Sequence, residues 1–139
     1  MHTVATILKK KGPHKNFVTA NSTVLKAAGL MKEISFSYLI VRSNGKYEGI
    51  ISERDCVYNL VLKEKDARDT LVNEIMTTDL PIVGLDDSAE QCMILINTSK
   101  SRYLPVFDKD KFKGIITIHD LMREALAEHE LRDHHWYVD

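Results

Sequence analysis

Two short stretches carry the residues best suited to chemistry: "GIISERD", Gly49 to Asp55, and "GIITIHD", Gly114 to Asp120. In each, a glycine and two apolar residues read as the end of a strand. A hydroxyl three positions before an aspartate then reads as the start of a helix. The plainest role for Ser52 with Asp55, and for Thr117 with Asp120, is a capping box. There the hydroxyl accepts an N–H from the third helical residue and the carboxylate reaches back to the cap. The same corner also suits a nucleotide. Unpaired N–H groups at a helix start favour phosphate, and a carboxylate there can accept both vicinal hydroxyls of a ribose. Gly49 and Gly114 remove side-chain bulk beside it. Cap and site are compatible, because a hydroxyl can cap a helix and still touch a ligand.

The elements that must position these residues occur twice. Gly49 and Gly114 differ by 65 positions (114 − 49), and the pairs Ser52/Thr117, Asp55/Asp120, Tyr38/Tyr103, Val41/Val106 and Val18/Val83 share that offset. "VATIL" (Val4 to Leu8) matches "VNEIM" (Val72 to Met76) at an offset of 68 (72 − 4), so the first half has three extra residues around Lys9–Lys15. The pattern is a tandem duplication. Each half predicts a lead segment, an extended piece at Val18 or Val83, a helix, a hairpin and a closing helix. Ser22 is the expected cap of Val24–Lys32, with Val24, Ala27, Ala28 and Met31 on one face. Asp87 or Ser88 should cap the matching helix, whose face holds Ala89, Cys92, Met93 and Ile96.

The first hairpin turns at Asn44-Gly45, where glycine tolerates positive φ; the second turns at Asp108–Lys111. Pro105 lacks an N–H and is expected where its strand needs no ladder bond, at an edge or facing a ligand. The closing helices start near Asp55, carrying Val57, Leu60 and Val61, and near Asp120, carrying Leu121, Met122, Ala125 and Leu126. "KEKDARD" (Lys63–Asp69) reads as a charged connector. Repeats of roughly 60 residues are marginal alone, so the halves are expected to pack together about a pseudo-twofold axis. The fold class is α+β, two β-α-β-β-α repeats, divided as 1–62, a linker 63–70, 71–128 and a tail 129–139.

Composition narrows the function. With 19 basic against 20 acidic side chains there is no bulk attraction to a polyanion, so nucleic-acid binding is not expected. Apolar residues make up 44%, enough for a proper core. Cys56 and Cys92 have no CxxC partners and read as buried free thiols of a reducing compartment. No apolar run spans a bilayer, and "MHTVATILKKKGPHK" lacks the pattern of a signal peptide. A cytoplasmic protein is the expectation.

The twin G-h-h-[ST]-x-x-D motifs, "RYLPV", and the leads "VATIL" and "VNEIMT" resemble a tandem pair of cystathionine-β-synthase (CBS) domains, the unit called a Bateman module. The resemblance covers residues ~3–128 and is to small stand-alone bacterial CBS-pair proteins. It implies a sensor of adenosyl ligands: AMP, ADP, ATP, S-adenosylmethionine or NAD(H). It also implies that Asp55 and Asp120 bind ribose hydroxyls, with Ser52 and Thr117 near ribose and phosphate. Adenine is expected against Val18, Thr19, Tyr38 and Leu39 in one half, and against Val83, Tyr103, Leu104 and Pro105 in the other. Ile40 stands in the first half where Pro105 stands in the second, which suggests unequal pockets. For the phosphate, Arg54, Arg102, Lys100 and His119 are the nearest cations, with Lys9–Lys11 as further ones and Arg102 preferred. The module is expected to form a homodimer, a flat disc, and to regulate a partner protein not identifiable from the sequence.

The tail holds His129, His134 and His135 without a firm metal-ligand set. Trp136 and Tyr137 are expected to dock on a partner subunit. No G-x-S-x-G, P-loop, G-x-G-x-x-G or H-E-x-x-H occurs, so an enzyme is not expected. The rival functions are a structural dimerisation module with empty clefts and a weak nucleotide hydrolase.

Overall fold

Asn44 and Gly45, at φ of 52° and 76°, reverse the chain between two antiparallel strands, and Lys109, at φ 56°, begins the matching reversal. Around these hairpins the computed structural model describes the backbone of residues 2–138 and the side chains of residues 2–129. In chain order the elements are α1 (Val4–Lys11), β1 (Phe17–Thr19), α2 (Val24–Ile34), β2 (Tyr38–Ser43), β3 (Lys46–Ser52) and α3 (Glu53–Cys56). A π-helical turn, Val57–Val61, continues α3. The second series is α4 (Val72–Ile75), α5 (Ala89–Ser99), β4 (Tyr103–Asp108), β5 (Lys111–Thr117) and α6 (Ile118–Val138). The fold is α+β, and each repeat contains one small sheet.

Two units form, and each contains the lead helix of the other repeat. One is His14–Asp79; the other joins the residues up to Pro13 with those from Leu80 onward. In the first unit, Val72 and Ile75 of α4 pack with Val24, Ala27 and Met31 of α2 and with Leu39, Val41 and Ile51 of the sheet. In the second, Val4 and Ile7 of α1 pack with Ala89, Cys92 and Ile96 of α5 and with Leu104, Val106 and Ile116. Each lead helix therefore completes the core of the repeat other than the one it introduces. Burying an aliphatic side chain of this size contributes about 1.5–3 kcal/mol, so the short α4 is held by Val72 and Ile75 rather than by its four-residue length.

The sheets differ for a reason visible at one position. In the first unit β1 runs parallel to β2, and the Ile40 N–H donates to the Asn16 carbonyl at 2.7 Å. Pro105, at the matching position, has no N–H to donate. There the lead strand shrinks to a single parallel bridge between Val83 and Val106, carried by Val83 N–H to Pro105 O and Phe107 N–H to Val83 O. The missing N–H of Pro105 thus faces the lead segment rather than β5, so the hairpin keeps its ladder and the loss falls on the lead strand.

Several local expectations shift. Thr23, not Ser22, caps α2, accepting the Lys26 N–H, while the Ser22 hydroxyl bonds that of Thr19 at 2.6 Å. Ser88 caps α5 in a capping box with Gln91, and Asp87 instead accepts the Gly84 N–H. Ala28 is exposed although it shares the expected face. Of the residues expected on the buried faces of the closing segments, Leu60 and Leu121 enter the cores. Val57, Val61, Met122 and Leu126 are between 47% and 63% exposed, and Ala125 is exposed as well. The π-helical geometry of Val57–Val61 explains the first case, because its wider turn breaks the 3.6-residue spacing on which the expected face relied.

Candidate functional site

Both motifs sit where a strand hands over to a helix. β3 ends at Ser52, whose extended backbone makes it the cap of α3. The Asp55 N–H donates to Ser52 Oγ at 3.2 Å and the Ser52 N–H returns to Asp55 Oδ2 at 2.9 Å. β5 ends at Thr117, which makes the same reciprocal pair with Asp120 at 3.2 and 2.8 Å. The capping box is therefore present in both repeats, and the two aspartates are 6% and 4% exposed. What distinguishes them is the occupant of the second carboxylate oxygen.

At Asp55 that occupant is neutral. Thr77, just past α4, donates its hydroxyl to Asp55 Oδ1 at 2.7 Å, and the Ser52 hydroxyl adds a bond to Oδ2. Thr77 is held there by an antiparallel bridge to Ile50, with N···O distances of 3.0 and 2.8 Å. Gly49 permits the approach: a Cβ at this residue would lie 2.5 Å from the Thr77 carbonyl oxygen. The space that the glycine leaves is filled by the protein's own backbone. A cavity of about 540 Å³ lies nearby, lined among others by Lys32, Phe36, Glu53 and Cys56, but Asp55 does not reach its wall.

At Asp120 the occupants are cationic. Lys11, in the last turn of α1, donates to Asp120 Oδ2 at 2.9 Å and to the Ile115 carbonyl at 2.9 Å; Arg123 pairs with Oδ1. One turn along α6, buried Glu124 accepts Lys10 at 3.2 Å and lies 3.6 Å from His2 Nε2. These residues with Ile7, Leu126 and Ala127 wall a cavity of about 470 Å³. Burial alone would raise the Asp120 carboxyl, but the charges of Lys11 and Arg123 and the Thr117 N–H outweigh it and hold it below the usual carboxylate range. Burial lowers the Lys11 ammonium from its ordinary value, against the opposing pull of Asp120. Lysines are the natural result of the three-residue insertion: α1 has eight residues where α4 has four, and its last turn supplies Lys9–Lys11.

The other expected contacts scatter. Val18, Leu39, Val83 and Leu104 belong to the two cores, with side chains turned to the helices. Tyr38 and Pro105 are buried on the opposite sheet faces, Tyr103 is half-buried and Thr19 is exposed. Arg54, Arg102 and His119 are exposed and line neither cavity beside the motifs. Lys100 is the exposed C-cap of α5. Arg123 and Glu124 were not anticipated. Their signal was their spacing, three and four residues after Asp120 on one helix, which puts all three on the same side.

Among the described residues no group of three or more His, Cys, Asp and Glu is placed to hold a metal, and no helix is long and apolar enough to cross a membrane. The side chains of His134, His135, Trp136 and Tyr137 lie outside the described residues, so the docking expected of the tail is not addressed.

Comparison with known proteins gives one answer. The profile of the CBS domain matches residues 7–62 and again 72–127. A solved structure of a candidate signal-transduction protein with CBS domains from Burkholderia ambifaria is 37% identical, with a TM-score of 0.84, covering 91% of this chain and 95% of that one. A CBS domain-containing protein of Bacillus subtilis is 30% identical over 104 residues, 75% of this chain and 74% of its own length. A mitochondrial CBS domain-containing protein of Arabidopsis thaliana is 25% identical over 91% of this chain, which spans 66% of the plant protein.

Proposed function

The chain belongs to the CBS-domain family, with two such domains in tandem, and on that premise we propose that it is a regulatory module that binds an adenosyl ligand beside Asp120. The observation that carries this reading is the cavity of about 470 Å³ in which a buried carboxylate and three cations converge. Its volume falls in the lower half of the range common for small-molecule sites, which favours one nucleotide over a dinucleotide such as NAD(H).

Asp120 is the group for the ribose hydroxyls, with Thr117 holding its orientation. Asp55 serves the first repeat mainly as a cap, because three neutral donors already fill its oxygens. Binding moves Arg123 off Asp120 Oδ1 and tightens α1 against α6, and this change is the signal offered to a partner protein. Its size is limited by the ligand's preference for one conformation over the other. The reading is of a binding protein rather than an enzyme.

A second reading, a purely structural homodimer, is favoured by the exposed Val57, Tyr58, Val61 and Leu62 on one closing segment and Met122 and Leu126 on the other. The deciding measurement is a thermal-melt screen with AMP, ATP, NAD(H) and S-adenosylmethionine. A ligand at about 100 times its dissociation constant stabilises by about 2.7 kcal/mol. If no adenosyl compound moves the melt, the structural reading takes its place.

A further inference from the structure

The hairpin tip that joins β2 to β3 holds a reactive pair of residues that the nucleotide reading does not use. Asn44 and Gly45 lie between Ser43 and Lys46, the last pair of the ladder, so neither is tied into the sheet. Both have positive φ, 52° and 76°, and both are exposed. No hydrogen bond holds the Asn44 side-chain amide among the described residues. A Cβ added at Gly45 would meet no heavy atom within 4 Å, so the turn has open space in which to flex. We propose that this turn is a site of spontaneous deamidation, which converts residue 44 of the folded protein into aspartyl and isoaspartyl forms ahead of every other asparagine in the chain.

The chemistry needs only water. The Gly45 backbone nitrogen attacks Asn44 Cγ and a C–N bond forms. The bond from Cγ to the side-chain nitrogen breaks, and ammonia leaves with the proton that Gly45 gives up. The product is a succinimide ring. Water then adds to one of its two carbonyls: opening at Cγ leaves an aspartyl residue, and opening at the main-chain carbon leaves an isoaspartyl one. Nothing is oxidised or reduced. Glycine crowds the attack least, because it has no Cβ, and asparagine tolerates the left-handed backbone that the tight turn demands.

The other five asparagines each lack one of these conditions. Asn16 is buried and donates its amide to the Tyr38 carbonyl at 3.1 Å. Asn21 is exposed, but the Ser22 N–H that would attack is engaged with the Thr19 carbonyl at 3.1 Å. The N–H after Asn73 is likewise held, by the Leu71 carbonyl at 3.0 Å. Asn59 and Asn97 lie inside the π-helical turn and α5, where the helix fixes the residue that follows. The second hairpin turns at Lys109 and Asp110 and has no amide to lose, so the modification marks one repeat only. Its effect follows from the length of the turn. An isoaspartyl link runs the main chain through Cβ and lengthens a two-residue loop whose geometry fixes the register of the strands. That register holds Ser43 opposite Lys46 at one end and Tyr38 opposite Ser52 at the other.

The test is incubation of the folded full chain in warm neutral buffer, sampled over days by peptide mass spectrometry with fragment ions that tell the two linkages apart. The mass gain of exchanging NH2 for OH is expected first in the peptide containing position 44. It should be faster in alkaline buffer, because the Gly45 nitrogen must shed its proton, and absent from that peptide in Asn44→Gln. The aged protein should show a lower urea midpoint. Asn44→Asp, which has the new charge without the longer main chain, should keep the midpoint of fresh wild type. Conversion of Asn21 or any other asparagine before Asn44, or conversion of Asn44 in urea but not in the folded chain, overturns the site. An aged protein with an unchanged midpoint overturns the effect on the hairpin.

Discussion

The Thr77 hydroxyl donates to Asp55 Oδ1 at 2.7 Å, and this one bond separates the two motifs. At Asp120 the matching oxygen is held by the exposed head of Arg123 instead. Similar caps thus acquire different capacities from the side chains that close over them. One aspartate is closed by a short neutral side chain from a bridged backbone; the other is closed by a cation that can leave.

The two aspartates should separate in mutagenesis. Asp55→Ala removes an acceptor from Ser52 and Thr77 inside the protein, which should cost about 1–3 kcal/mol and lower the melting temperature by several degrees, with any shift caused by AMP preserved. Asp120→Ala should abolish the AMP shift. Melts of both variants with and without AMP measure the split, and loss of the shift in Asp55→Ala alone would reverse the assignment.

Two glycine-to-alanine changes should have opposite signs. Gly49→Ala forces a Cβ against the Thr77 carbonyl, where neither backbone can yield cheaply, so a loss of about 1–3 kcal/mol is expected. Gly29→Ala lies inside α2 with no heavy atom within 4 Å of the new Cβ, and should gain about 0.5–1 kcal/mol. Urea midpoints of the two variants give the comparison.

Acid should unfasten the Asp120 network. Its carboxyl is held below the ordinary value, so its contribution to stability is present in full above the unfolded pKa of about 3.9 and is lost as pH falls through the folded one. Relative to Asp120→Asn, the wild type should therefore lose its advantage below about pH 4. Denaturation curves from pH 3 to 7 would expose a wrong sign directly.

Thiol chemistry offers an independent check on the core. Burial pushes Cys92 up to about 11, and Cys56 is also raised, by burial and the nearby Asp55 and Glu53. Since the thiolate is the nucleophile, the native protein at pH 7.5 should be labelled by a maleimide slowly at the half-buried Cys56 and not at the buried Cys92. Peptide mass spectrometry after a timed quench reports both positions, and fast labelling of Cys92 would contradict the packing of α5.

Much of this architecture was legible in the residues. The offset of 65 located both hairpins and both caps, because turn and cap chemistry is local and each repeat states it separately. The three-residue excess near Lys9–Lys15 marked where the repeats diverge. Partners distant in the chain were not legible. Arg102, directly before Tyr103, was the favoured cation, yet its side chain stands in solvent, while Lys11 reaches Asp120 and Lys10 reaches Glu124 from more than a hundred positions away. The alternation of strands also sorted the expected adenine contacts between two faces, sending Leu39 and Leu104 to the cores. A resemblance of motif carries the corner itself but not which lead helix closes over it.

The exchange of lead helices has a consequence for how the molecule can be cut. A break in the exposed stretch near Lys65 leaves an amino-terminal piece without Val72 and Ile75, and a carboxy-terminal piece without Val4 and Ile7. Each fragment would carry a whole repeat as judged by its motif, and each would lack part of its own interior. The duplication is a unit of ancestry; it is not a unit that can stand by itself, and the nascent chain must deliver α4 before the first repeat can close and β5 before α1 has a place to rest.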